Sequence, residues 1–136
     1  MSAAIFAGVL GEAIGSFFMS FFYLTQTEQK TTFSKEKAIN CFIIASAYVG
    51  ARAMCQGQLF GYSASGPVLN PAIALGTTLV MLVNQASLCV HIWLFALVPF
   101  GGAVVAVLFH EFVFKKTHEV LEAEGDDDDN DTLIEK

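Results

Sequence analysis

The chain has 136 residues, 54% of them hydrophobic and 12% aromatic, with a mean hydropathy of +0.57; it is long enough for one domain but too apolar for an ordinary soluble one. Its formal net charge of −6 is concentrated in a tail, because nine of the 13 acidic residues lie from Glu119 onward, so the charge gives no sign of a nucleic-acid partner or a basic substrate. Cys41, Cys55 and Cys89 are widely spaced, show neither metal-ligand nor disulfide spacing, and read as small apolar packing residues.

Taken in order, Ser2 to Leu24 is an apolar run with a single charge, Glu12, which suits a membrane-spanning helix. A signal peptide is the rival reading. The run lacks a basic start, is interrupted by Glu12, and keeps large aromatics through Phe21, Phe22 and Tyr23 where a cleavage site would need small residues. Gly8, Gly11 and Gly15 fall close to one helical face, which predicts tight packing against a neighbouring helix. Residues 26–37 are polar, carry Lys30, Lys35 and Lys37, and read as a loop. A second span is expected from Ala38 to about Met54, with Arg52 near its end, and a Gly-, Gln- and Ser-rich loop from Gln56 to Leu69. The run from Leu88 to Phe109 reads as a third span, with Pro99, Gly101 and Gly102 marking a kink or close-contact point inside it.

One apolar segment does not fit this series. Pro71 to Val83 would make a helix of roughly 20 Å, too short for a hydrocarbon core of ~30 Å, so it should enter a membrane without crossing it. Asn70 suits its N-cap, Pro71 its first turn, and Gly66 with Pro67 the turn before it. The fold class expected is therefore an all-α membrane protein with three transmembrane helices and one re-entrant half-helix. Its membrane unit covers residues 1–116, and residues 117–136 form an acidic, disordered tail apart from a helical extension through Val120 and Leu121. The lysines of the first loop, with Lys115 and Lys116, place that loop and the C-terminus in the cytoplasm, the N-terminus outside, and the half-helix entering from outside.

The chemistry expected of the half-helix follows from its start. A helix N-terminus carries roughly half a positive charge and unpaired N–H donors, which repel cations while offering hydrogen bonds to neutral molecules. Asn70, if its oxygen caps the helix, still has an NH₂ group to donate. By themselves the residues Asn70, Pro71 and Ala72 would do no more than begin a buried helix; a Gly-rich loop and three spans around them favour a pore for neutral solutes.

These residues also carry a family likeness. The stretch SGPVLNPAIALG resembles the NPA loop of the aquaporins, or major intrinsic proteins; GEAIGSFF is similar to the start of that family's fourth helix, and WLFALVPFGGAVVAVLF to its sixth. The resemblance covers roughly residues 5–114 and corresponds to the second of the family's two inverted repeats. It implies that Asn70, Pro71 and Ala72 form one side of a central constriction, that Glu12 braces the loop backbone, and that the assembly is tetrameric. Glu12 and Arg52 are also candidates for an ion pair, with Arg52 reaching to the outer interface as the alternative.

One position departs from the water-selective pattern. Ile73 stands where those members have an arginine after the motif, and Gln56 or Gln58 occupies the region where they often place a histidine. The resemblance is closer to unorthodox members, and it implies a wider, more apolar filter that passes glycerol-like solutes as well as water. A single repeat cannot wall a pore, so the expected partners are the lipid bilayer, a small neutral solute and a complementary half, from the same precursor or another chain. The alternative function is a non-conducting structural subunit of a membrane complex. An ion-coupled transporter is a weaker third reading, since Glu12 is better used as a brace. His91, His110 and His118 read as interfacial residues and Trp93 as an interface anchor. No metal site, cofactor or catalytic arrangement is expected, and so no enzyme.

Overall fold

The computed structural model describes residues 3–56, 58–59, 62–63, 67–84 and 92–123. The expectations placed on Ser65, Gly66, Leu88, Cys89, His91 and the aspartate run of the tail lie outside them. Four helices carry the architecture: α1 Ala3–Thr27, α2 Lys37–Cys55, α3 Pro71–Asn84 and α4 Ile92–Phe109. Between α2 and α3, β1 Gln58–Leu59 pairs antiparallel with β2 Tyr62–Ser63, with Gln58 opposite Ser63 and Leu59 opposite Tyr62. Beyond α4 a π-helical turn, His110–Phe114, leads into helical residues 115–123. Three of the helices are long and apolar enough to cross a membrane: Ile5–Thr27, Lys37–Cys55 and Ile92–Ala123. Pro71–Val83 is the shorter apolar helix among them.

The protein is thus an all-α membrane protein, and its packing follows the rule for helices in lipid. Lipid is as apolar as leucine, so helices associate there by close backbone approach at small residues and not by hiding large ones. Here the buried positions include Ala7, Ala47, Ala51, Cys55, Ala74 and Ala106, while Phe42, Val49, Leu79, Val83, Leu97 and Phe112 face outward. A soluble monomer with so much exposed apolar surface would aggregate.

Helix α1 is the centre of the bundle, packed between α2 and α4, and α3 rests against α4. The α1–α4 contact is close at Gly102, where a Cβ would lie 3.0 Å from the Phe17 backbone nitrogen and closer still to the Ala13 carbonyl oxygen. Pro99 is buried inside an α4 that continues through it. On the α2 side, Gly11 and Gly15 meet Cys55, and a Cβ on Gly15 would also press on the Leu69 side chain. The expected glycine face therefore divides. Gly8 takes no part in close packing and lines a cavity of about 210 Å³ between α1 and α4, with Ile5, Val9, Glu12, Leu94, Phe95 and Val98.

The element boundaries shift slightly from the expected ones. Helix α1 runs to Thr27, where Thr25 and Thr27 donate their hydroxyl protons to carbonyls of the preceding turn. The first loop is shortened to residues 28–36. The last helix reaches Ala123, farther into the charged segment than Val120 and Leu121.

Candidate functional site

The first site is built where the loop before α3 meets the middle of α1. Asn70 caps α3: its Oδ1 accepts a hydrogen bond from the Ala72 N–H at 2.9 Å, and its carbonyl accepts one from the Ala74 N–H at 3.0 Å. Capping uses the acceptor of the Asn70 side chain and leaves its NH₂ donor available on an exposed residue. Pro71 follows as the first helical residue, where its missing N–H breaks no helical bond.

The preceding residue, Leu69, has a positive φ of 59°, a conformation that costs a branched side chain free energy unless its surroundings enforce it. Glu12 supplies the enforcement. Its Oε1 accepts the Val68 N–H, and its Oε2 accepts the Leu69 N–H at 3.0 Å. Glu12 is only 2% exposed and Leu69 5%, so the carboxylate and the Leu69 N–H answer each other's hydrogen-bonding needs away from water, while the Val68 bond is part-buried. The Leu69 side chain then packs on Gly15, one helical turn from Glu12.

Among the described residues Glu12 and Arg52 form no ion pair at contact distance. Both Glu12 oxygens are taken by backbone donors, and Arg52 donates from Nη1 to the Tyr48 hydroxyl, one turn earlier on α2, at 3.5 Å. Ile73 is exposed on the first turn of α3, at 43%. Gln56 is exposed at the end of α2, where its backbone N–H donates to the Arg52 carbonyl at 2.8 Å. Gln58 lies in β1, across from Ser63.

A second cluster lies at the other end of the bundle, where the loop after α1 meets the π-helical turn. His110, expected at the inner interface, is fully buried against the protein, with its ring against Phe21 and Phe114. The π-turn, in which the Lys115 N–H bonds the His110 carbonyl five residues back, sets the imidazole on the face that packs on α1. Its Nε2 lies 3.4 Å from the Thr31 hydroxyl, and its Nδ1 lies 3.8 Å from Glu28 and 3.5 Å from Glu111. Lys115 contacts the same two carboxylates, at 2.6 Å and 3.5 Å. The hydrogen bond and charge of Lys115 hold the Glu28 carboxyl below its ordinary value. Sequence reasoning missed this cluster, since its members come from both ends of the chain; the one local signal was a histidine beside a glutamate where a span ends. His118 is half-exposed and pairs with Glu122 at 3.3 Å. Trp93 is exposed at the start of α4.

No protein-family model matches this chain, and no solved structure matches it. Two curated plant proteins are similar to it. Probable aquaporin PIP2-8 of Oryza sativa subsp. japonica is 28% identical over 109 residues, which is 80% of this chain and 38% of the relative. Probable aquaporin PIP2-5 of Arabidopsis thaliana is 28% identical over 112 residues, 82% of this chain and 37% of the relative. These likenesses support a relationship to the aquaporin family, over a chain that spans less than two-fifths of the length of either relative.

Proposed function

We propose that this chain is a component of a membrane channel for the passive movement of water and small neutral solutes such as glycerol, and is not an enzyme. The observation that carries the reading is the braced turn. A buried carboxylate from one spanning helix holds two loop N–H groups so that the capped N-terminus of a helix too short to span stands beside the middle of that span. The partial positive charge at that terminus opposes cations, and the Asn70 NH₂ offers a donor to a passing hydroxyl or water. Ile73 leaves the filter without a fixed cation, so size and apolar contact set its selectivity, with Gln56 and Gln58 as the polar groups of the same region.

In this reading the site faces a complementary repeat, supplied by the same precursor or by another chain, and the channels assemble into oligomers. The end of the bundle with Lys30, Lys35, Lys37, Lys115 and Lys116 is cytoplasmic, and α3 enters from the opposite side. Stopped-flow light scattering on vesicles carrying the protein purified together with its complementary repeat tests the function. Water and glycerol equilibration both faster than in empty vesicles is the expected result. Water flux without glycerol flux would contradict the wide filter, and rates equal to those of empty vesicles, with the protein folded, would favour the structural-subunit reading.

A further inference from the structure

We propose that Glu28, His110 and Glu111 form a binding site for a single divalent transition-metal ion of the zinc type, at the end of the bundle opposite the loop that caps α3. The argument begins with the histidine. The Thr31 hydroxyl has one proton, and the carbonyls of Thr25 at 3.3 Å and of Glu28 at 3.5 Å both lie within its reach. With its proton on either carbonyl, the hydroxyl accepts from His110 Nε2 at 3.4 Å. In that tautomer Nδ1 carries a bare lone pair.

The lone pair is buried and unpartnered. The His110 side chain is 1% exposed and its Nδ1 has no hydrogen bond. It faces two further acceptors, Glu111 Oε1 at 3.5 Å and Glu28 Oε2 at 3.8 Å. Three lone-pair donors pointing at one another repel unless a positive centre lies between them. The three side chains offer donor atoms within 4.8 Å of one another. With metal–ligand bonds of about 2.0–2.1 Å, the edge of a tetrahedral site is roughly 3.4 Å, close to the two distances from Nδ1. A proton on Nδ1 would fit less well, because both separations are long for a charged hydrogen bond of about 2.7–2.9 Å.

The surroundings suit such an ion. Lys115 holds the oxygens that point away from the proposed centre, Glu28 Oε1 at 2.6 Å and Glu111 Oε2 at 3.5 Å. It thereby orients both carboxylates, while Thr31 and the flanking Phe21 and Phe114 rings orient the imidazole. One nitrogen and two carboxylate oxygens leave a fourth position for water, and this donor set favours zinc, cobalt or nickel over calcium and magnesium. An ion there would tie the loop after α1 to the end of the last helix.

Cobalt(II) is the probe, because its visible absorption reports ligand geometry. The full chain in lipid nanodiscs should bind one equivalent of cobalt with tetrahedral bands, and zinc should displace it. Glu111→Gln and Glu28→Gln should each weaken binding at least tenfold, and zinc should raise Tm in the unaltered chain but not in these variants. Replacing Asp126, Asp127, Asp128 and Asp129 by asparagine should leave binding unchanged. Absence of cobalt binding would overturn the site, as would binding that survives both glutamate substitutions or that disappears with the four aspartates. Should His110→Ala fail to fold, the two glutamate variants still decide the matter, since both residues are partly exposed.

Discussion

Glu12 commits both carboxylate oxygens to the N–H groups of Val68 and Leu69, so its removal strands two donors, that of Leu69 in a buried position. Glu12→Ala should lower stability by about 3 kcal/mol, read as a fall in Tm in detergent, whereas Glu12→Gln, which keeps one accepting oxygen, should lose less. The sequence pointed to Glu12 because a lone carboxyl in an apolar run must find a partner, and the family resemblance implied the loop backbone; which N–H groups it takes was not legible, since Val68 and Leu69 lie 56 and 57 residues away. Arg52 was a candidate partner on charge alone, and its contact is instead with the Tyr48 hydroxyl. Glu28 gives a pH prediction. Its folded pKa is lowered from an ordinary value of 4.5 by Lys115, so its stabilising contribution is complete above that value and is lost as pH falls through the lowered one. Thermal melts of Glu28→Gln should show a smaller acid loss than those of the unaltered chain below pH 4.5, and the same profile above it.

At the scale of elements, the existence and approximate bounds of all four helices could be read from runs of apolar residues and from Asn-Pro at the start of α3. The partners of each face could not, because in lipid the buried side is the one with small residues, and Gly8, Gly11, Gly15 and Gly102 look alike in sequence. The structure separates them by what a methyl group would meet. At Gly102 it would strike the Ala13 carbonyl and the Phe17 nitrogen of α1, which cannot rotate away; at Gly15 the closest atom is the mobile end of Leu69. Gly102→Ala should therefore cost about 1–3 kcal/mol and weaken the α1–α4 contact, and Gly15→Ala should cost less, by Tm or by protease resistance in detergent. Gly8→Ala, which meets nothing within 4 Å, should be neutral. The π-turn was equally hidden, since its insertion is a property of the hydrogen-bond ladder and not of the residues His110–Phe114 taken singly.

For the whole molecule, the membrane class was visible in the sequence and the candidate site was visible in part. The loop cap, Asn70, Pro71, Ala72 and the position of Ile73 all lie in one continuous stretch, whereas the buried histidine cluster joins segments 79 or more residues apart. What covers the outward face of α3 is a question for the assembled protein. Only Ala74 on that helix is buried among its described side chains, and Val83 is 85% exposed. The central claim is that the first turn of α3 borders the solute path, and Ile73 is the side chain with which to test it. The most direct measurement is the ratio of glycerol to water permeability of vesicles carrying Ile73→Arg in the assembly with its complementary repeat, against the unaltered assembly at equal protein density. A guanidinium at that position narrows and charges the path, so the ratio should fall at least tenfold with water permeability retained. An unchanged ratio, from vesicles in which both proteins conduct, would place Ile73 away from the path and contradict the account.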